Sequence, residues 1–515
     1  MSILYVDLDE EKITASADES EKGVSLALSL LRKRSSERTI VFTSTPEEAL
    51  ETRGASTYFI SFVSPVTGRE TVCPVVSSVG LILMNMGYTA LVITGRCRKM
   101  SVLSFRGDSI SIKHAEFFRG KSRDYVNLAL GPKGNDVVFS TSIAADRNIP
   151  YGALYLGSSE VGFDGLGSRC SDMNVKAMKI QAFLPERRQN EESRRFSKSL
   201  MNRKVARSLR TEGTLVLIDR LVKKGMAPLE GFERRFDPRA VFLDGSSIRM
   251  RHGASSLSCS DCPIGCHKRT EDGGRIPEIE DAMYLGTNLG IFSSDSVMQL
   301  KAKIDEYGLE PFNTGMYLSQ NGVRGLDDAL KAIESIMDGS VTIQVPHAGY
   351  PRLDYRGSYE GAIFHMKGER LVPLIDLYAE ENITNITSAA IAALYERVYT
   401  YALSSRGYAI VPSFVEYLSD IPGWMYRTPE ILRLHMRKIR FYGINPKDLL
   451  KEGLAILEKL DVDEVSEIDE RFLYKPDMAY DDAVCPSRKL LDAYERERLR
   501  LIVHLSDKSA IRKRS

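Results

Sequence analysis

The sequence predicts an α+β N-terminal domain with mixed β-sheets, followed by two mainly α-helical domains. Two observations carry that expectation. Over the first 180 residues, β-branched and aromatic runs are punctuated by Gly and Pro. Beyond a charged stretch at 185–193, PERRQNEES, apolar residues recur at helical spacing instead.

The front of the chain reads as strands at Ile3–Leu8, Thr39–Ser44, Thr57–Ser64, Ala90–Gly95, Ser101–Phe105, Ser109–Ile112 and Asp136–Thr141, with helices around Lys22–Arg34 and Val79–Met86. The charged stretch reads as a linker. Behind it, helices are expected over Val205–Lys224, Asp295–Tyr307, Leu326–Asp338, Ser388–Ser404, Pro429–Tyr442 and Pro446–Leu460. In Asp295–Tyr307, Val297, Leu300, Ile304 and Tyr307 form one apolar face, and Gly308 stands where a helix stop is expected. No internal repeat is visible. The resulting domains are 1–182, 183–345 and 346–515.

Of 515 residues, 70 are Lys or Arg and 69 Asp or Glu, a net charge of +1 that argues against a nucleic-acid-binding surface. The opening MSILYVDLDEEK has no basic segment leading into an apolar run, so no signal peptide is expected. The longest apolar candidate, Val79–Val92, is interrupted by Gly80, Asn85 and Gly87 and is too short for a bilayer. Seven cysteines, three of them clustered, point to metal binding in a reducing compartment, hence to a cytoplasmic protein.

The cluster is CSDCPIGC at 259–266, spaced so that a short loop can aim its sulfurs at one point. Three readings follow from the residues. The cysteines are small buried hydrophobes; or they bind zinc together with His267; or they hold an iron–sulfur cluster. Zinc is disfavoured because adjacent residues such as Cys266 and His267 seldom point the same way.

Two further motifs follow in order: PEIEDAMYLGTNLGI at 277–291 and IDEYGLEPFNTG at 304–315. The trio resembles the aldehyde ferredoxin oxidoreductase family of tungsten- or molybdenum-pterin enzymes. SPVTG at 64–68, GLGSRCSDMNVKAM at 165–178, DYRG at 354–357 and NPKDLLKEGLAILEKL at 445–460 extend the likeness along most of the chain.

The resemblance implies a tungsten- or molybdenum-bis-pterin beside a 4Fe–4S cluster. It implies an aldehyde or related small-molecule carbonyl oxidised to a carboxylate, with electrons passed to ferredoxin. No nucleic acid or membrane partner is implied, and a homo-oligomer is left open. It assigns Cys259, Cys262 and Cys266 to the cluster, Glu280 to acid/base work near the metal, and Asp305, Gly308, Leu309 and Glu310 to one pterin. Residues alone offer plainer readings: Glu280 as the acidic first turn of a helix, and Gly308 with Leu309 as a helix end.

The chain also departs from the family. The second pterin element, which ends on the fourth cluster cysteine, has its counterpart in SSRGYA at 404–409, with Ser404, Tyr408 and Ala409 replacing carboxylate, leucine and cysteine. Cys485 is one candidate substitute from elsewhere in the chain; a three-iron cluster or a non-cysteine fourth ligand would also serve. Thr57 stands at a phosphate-binding arginine, with Arg53 nearby, and Cys73, Pro74, Val75 and Val76 replace a magnesium-side Asn-Ser-Gly. Asp164 stands where an arginine meets a phosphate, leaving magnesium or Lys176 to compensate. His365 is the histidine nearest a substrate-side position but stands out of register, and between Phe364 and Met366 it reads more readily as a packed core residue. A degenerate paralogue, keeping a cluster or acting as an interaction subunit without tungstopterin, is the alternative.

Overall fold

The computed structural model describes residues 1–341, 386–408, 428–459 and 488–512, apart from 18–20, 219–227, 232, 233, 235, 236 and scattered single positions including 260, 261 and 263. His365, Ala409, Cys485 and Arg53 lie outside the described residues.

The first ninety-odd residues run β1 (Ser2–Asp7), β2 (Lys12–Ala17), α1 (Gly23–Lys33), β3 (Thr39–Thr43), β4 (Thr57–Val63), β5 (Glu70–Val76), α2 (Val79–Asn85) and β6 (Tyr88–Thr94). They form one six-stranded sheet in the order β2-β1-β6-β3-β4-β5. The next stretch runs β7 (Ser101–Arg106), β8 (Ser109–His114), α3 (Arg123–Leu130), β9 (Val137–Thr141), α4 (Ile143–Asp146), β10 (Leu154–Leu156), β11 (Ser159–Val161), α5 (Leu166–Asp172) and β12 (Val175–Gln181). Its sheet order is β11-β10-β9-β12-β7-β8.

Each strand of the second sheet takes the place of the strand six earlier, and among the described residues the only parallel pairs are the equivalent β1–β6 and β7–β12. The sheet region is therefore a topological duplication, where the sequence showed no repeat. The two sheets share one core, in which Phe42 of β3 meets Phe139 of β9 edge to face at 5.6 Å.

The expected strands form, and the additional ones have physical reasons for escaping notice. β2 is an edge strand with every residue exposed, so it carries no apolar alternation. β5 contains Pro74 and lies at the opposite edge, where a missing N–H is tolerated. β12 is central yet carries Lys176 and Lys179.

The expected linker is not free. Arg187 donates from Nη1 to the carbonyls of Ala49, Thr52 and Ala55 at 3.0, 2.9 and 2.8 Å, and a helix, α6, already begins at Glu191 (Glu191–Met201). Then come α7 (Lys204–Glu212), α8 (Gly245–His252), α9 (Ser294–Tyr307), α10 (Pro311–Gln320), α11 (Leu326–Asp338), α12 (Ile386–Ser405), α13 (Pro429–Met436), α14 (Pro446–Lys459) and α15 (Arg488–Arg512). The helix expected over Val205–Lys224 stops at Glu212, before Gly213 in a positive-φ conformation, and the one expected from Pro429 stops at Met436, short of Tyr442. Among the described residues, no helix is long and apolar enough to cross a membrane.

Candidate functional site

Two equivalent attachments join the helical part to the duplicated sheets. α9 ends on Gly308 with φ +71°; its carbonyl accepts from Ala153 N–H at 2.8 Å, and Leu309 bridges Gly152 ahead of β10. α12 leads to Gly407 with φ +88°; its carbonyl accepts from Thr57 N–H at 3.0 Å, and Tyr408 bridges Ala55 ahead of β4. Gly152 and Ala55 precede equivalent strands. Ser404 and Tyr408 thus occupy the places of Asp305 and Leu309 in a second copy of the same junction.

At the first junction, Asp305 accepts from Lys301 Nζ at 2.6 Å. Leu309 is fully buried. Glu310 is buried too: its Oε1 accepts from Gly165 N–H at 2.7 Å and its Oε2 from Asn313 at 2.6 Å. A cleft of about 600 Å³ lies beside this junction, lined by Asp305, Gly308, Ser142, Tyr155, Arg123 and Arg275 among others.

The cysteine loop hangs from a two-stranded ladder, β13 (Ser255–Leu257) with β14 (His267–Arg269), in which Leu257 pairs with His267. Cys262 N–H donates to the Cys259 carbonyl at 3.0 Å, closing the first turn. Gly265 takes φ +63°, a conformation that glycine reaches without steric cost. Lys268 fastens the far end, donating to the Gly265 carbonyl at 2.8 Å, the Arg210 carbonyl at 2.5 Å and Ser256 Oγ at 2.8 Å.

Burial raises the Cys266 thiol well above its ordinary range, and the nearby Glu278, Cys259 and Cys262 push the same way. The three sulfurs and Glu278 therefore share one electrostatic neighbourhood. Among the described residues no three such side chains already stand together as a metal-holding group, but three half-buried thiols on one short loop are the donor chemistry that an iron–sulfur cluster takes.

His267, set aside as a ligand because it follows Cys266, is nonetheless part of this loop. Its Nε2 lies 3.1 Å from Cys259 Sγ and its Nδ1 contacts Glu278 Oε1. The Glu278 carboxylate, first, and the Cys259 contact raise the imidazole to about 10 against the opposing effect of burial. The signal in the sequence was a histidine abutting the cluster motif and an acid leading PEIE, but nothing local tied them together.

Glu280 is half-buried at the entry to a π-helical turn, Asp281–Gly286. Asp281 is buried and accepts from Glu278 N–H at 2.8 Å. Lys301 is held in its charged form by Asp281 and Asp305 despite burial. Contacts thus run from Cys259 through His267 and Glu278 to Asp281, and the charge of Lys301, paired with Asp305, acts on Asp281 from nearby.

Among the described residues, the sheet-side groups expected near a pterin phosphate at 164–165 and 176 are otherwise engaged. Gly165 N–H is already engaged by Glu310, and Asp164 is a buried acid with φ +55°. Lys176, the expected compensating cation, is fully buried elsewhere, on Asp146 at 2.5 Å and the carbonyls of Thr141 and Lys121 at 2.9 and 3.1 Å.

Fold and site together define a duplicated sheet base clasped by helices that carry a thiol-rich loop. Residues 3–182 match the sequence model for the aldehyde ferredoxin oxidoreductase N-terminal domain, and 191–320 match that for domains 2 and 3. The chain belongs to the aldehyde ferredoxin oxidoreductase family.

It is 26% identical over 272 residues to the tungsten-containing aldehyde ferredoxin oxidoreductase of Pyrococcus furiosus, covering 50% of this chain and 45% of that one. The corresponding protein of Thermococcus kodakarensis is 24% identical over 304 residues, covering 54% and 48%. A Pyrococcus furiosus aliphatic sulfonate oxidoreductase, WOR-like subunit, is 24% identical over 275 residues, covering 47% and 43%. The matched stretches span about half the length of these curated relatives. The fold is similar to the active-site complex BamBC of benzoyl coenzyme A reductase with 1,5-dienoyl-CoA, with a TM-score of 0.63, 14% identity, and coverage of 96% of this chain and 94% of that one.

Proposed function

We propose that this chain is an oxidoreductase of the aldehyde ferredoxin oxidoreductase type, organised as 1–182, 183–345 and 346–515 and working in the cytoplasm. The observation that carries the reading is the three-cysteine loop, fastened by β13–β14 and Lys268 and linked through Glu278 to the Glu280 turn and Asp305. Cys259, Cys262 and Cys266 hold a 4Fe–4S cluster, which supplies one-electron transfer when bound.

Glu280 is the acid/base group of the reaction centre, and Asp305, Gly308, Leu309 and Glu310 form the wall that the family turns toward a pterin. The net reaction of this type is oxidation of an aldehyde or related carbonyl, with water, to a carboxylate. Two electrons leave singly through the cluster to ferredoxin.

A second reading is favoured by the engaged donors at Gly165 and Lys176 and by Ser404 at the second junction. It is a cluster-bearing electron-transfer or interaction subunit without tungstopterin. Anaerobic purification from a host that makes the cofactor, with elemental analysis for W, Mo, Fe and Zn, separates them. Iron with tungsten or molybdenum, plus aldehyde-dependent reduction of a viologen, is expected for the oxidoreductase. Iron without either heavier metal supports the second reading, and zinc without iron sinks both.

A further inference from the structure

We propose, on the cluster reading above, that His267, oriented by Glu278, donates Nε2–H to the Cys259 thiolate of the cluster and thereby raises its reduction potential. A metal-bound thiolate is an acceptor, so a ring nitrogen within hydrogen-bond distance of it meets it as the donor. Nε2 stands 3.1 Å from Cys259 Sγ and Nδ1 contacts Glu278 Oε1.

The two contacts place the ring beside a ligand: Nε2 meets Cys259 Sγ while Nδ1 is taken by Glu278.

The dyad is held from both sides. His267 opens β14 and pairs with Leu257, two residues ahead of Cys259, while Lys268 fastens the next position. Across from it, Glu278 N–H is fixed by Asp281 and Ile279 N–H donates to Thr214 Oγ1 at 3.1 Å. The imidazole is thereby placed by backbone on two separate segments.

Reduction adds one electron to the cluster, with no bond made or broken. A hydrogen bond to a ligating sulfur stabilises the more negative reduced state. His267 is thus a positioning residue that acts through Cys259.

The full-length protein is reconstituted anaerobically with iron and sulfide, iron per chain is counted, and the midpoint is measured by EPR-monitored redox titration. His267→Ala should keep the iron content and move the midpoint to lower potential. His267→Gln, whose amide nitrogen replaces Nε2, should recover part of the shift, and Glu278→Gln should show a smaller shift of the same sign.

An unchanged midpoint in His267→Ala overturns the inference. So does strong nitrogen hyperfine coupling in the wild type with loss of iron in His267→Ala, which makes His267 a ligand. Should His267→Ala fail to hold the cluster without such coupling, Glu278→Gln decides: an unshifted midpoint overturns the inference. Wild-type protein that takes up no iron overturns the cluster reading itself, a different outcome from a cluster whose midpoint ignores His267.

Discussion

Lys301 Nζ lies 2.6 Å from Asp305 Oδ1, one turn back along α9, and the same ammonium also serves the buried Asp281. The carboxylate that the family would turn toward a cofactor is thus part of a one-cation, two-acid set. Both side chains of the pair are largely buried, with 12% and 20% exposure. Removing the cation by Lys301→Met leaves Asp305 without its partner and Asp281 without the nearby positive charge, with little solvent to replace either. Loss of one partner of a buried pair costs about 3–5 kcal/mol. Urea unfolding should show that loss at neutral pH; a change below about 1 kcal/mol would mean that solvent already screens the set.

Asp281 gives the set a pH signature. Burial is the main cause raising its carboxyl, with Glu278 and Asp305 adding to it and Lys301 opposing. A carboxyl whose folded pKa exceeds its unfolded value binds its proton more tightly when folded. Its contribution to stability is therefore lost as pH rises from the ordinary Asp value, about 4, through the folded one. Asp281→Asn, which keeps an acceptor for Glu278 N–H, should flatten the decline over that interval. Equal pH slopes for the two proteins in chemical unfolding would remove Asp281 from this role.

How far these relationships were legible varies with their range along the chain. The cysteine loop, Glu280 and the Asp305–Glu310 element lie within about fifty consecutive residues and announce themselves by spacing. α9 and α11 were readable because one apolar stripe buries each, and their Gly308 and Gly339 stops are left-handed caps. The duplication was not readable, because equivalent strands need only equivalent burial: β5 is interrupted by Pro74, and β11 is a three-residue edge strand. His267 with Glu278, and Gly165 with Glu310, depend on contacts across 11 and 145 residues, which no local pattern encodes.

The two helix stops give a matched comparison. Gly308 and Gly339 have similar φ values of +71° and +79°, but a Cβ at 308 would stand 2.2 Å from Ser142 Cβ, whereas one at 339 meets nothing within 4 Å. Gly339→Ala should cost only the left-handed conformation, about 1–2 kcal/mol. Gly308→Ala should add an overpacking cost of about 1–3 kcal/mol and loosen the junction with β10. Thermal unfolding ranks the two, and faster amide exchange at Ala153 in Gly308→Ala would locate the extra loss.

Lys176 separates a structural cation from a phosphate-binding one. It and Asp146 are essentially unexposed, at 0% and 1%, and Asp146 also accepts from Gly120 N–H and from the hydroxyls of Thr141 and Ser171. Burial lowers the Lys176 pKa and the Asp146 charge opposes that shift. Lys176→Met therefore strands a buried carboxylate and should cost about 3–5 kcal/mol with no phosphate ligand present. Adding Asp146→Leu should return part of that loss, because two uncharged side chains remove the stranded charge, so the double-mutant cycle gives a coupling of at least about 1 kcal/mol. A phosphate-binding lysine behaves oppositely. Its removal leaves the ligand-free protein intact and weakens retention of a phosphate-bearing ligand. Ligand-free Lys176→Met as stable as the wild type would return Lys176 to the phosphate side and revive the compensation for Asp164 that this packing removes.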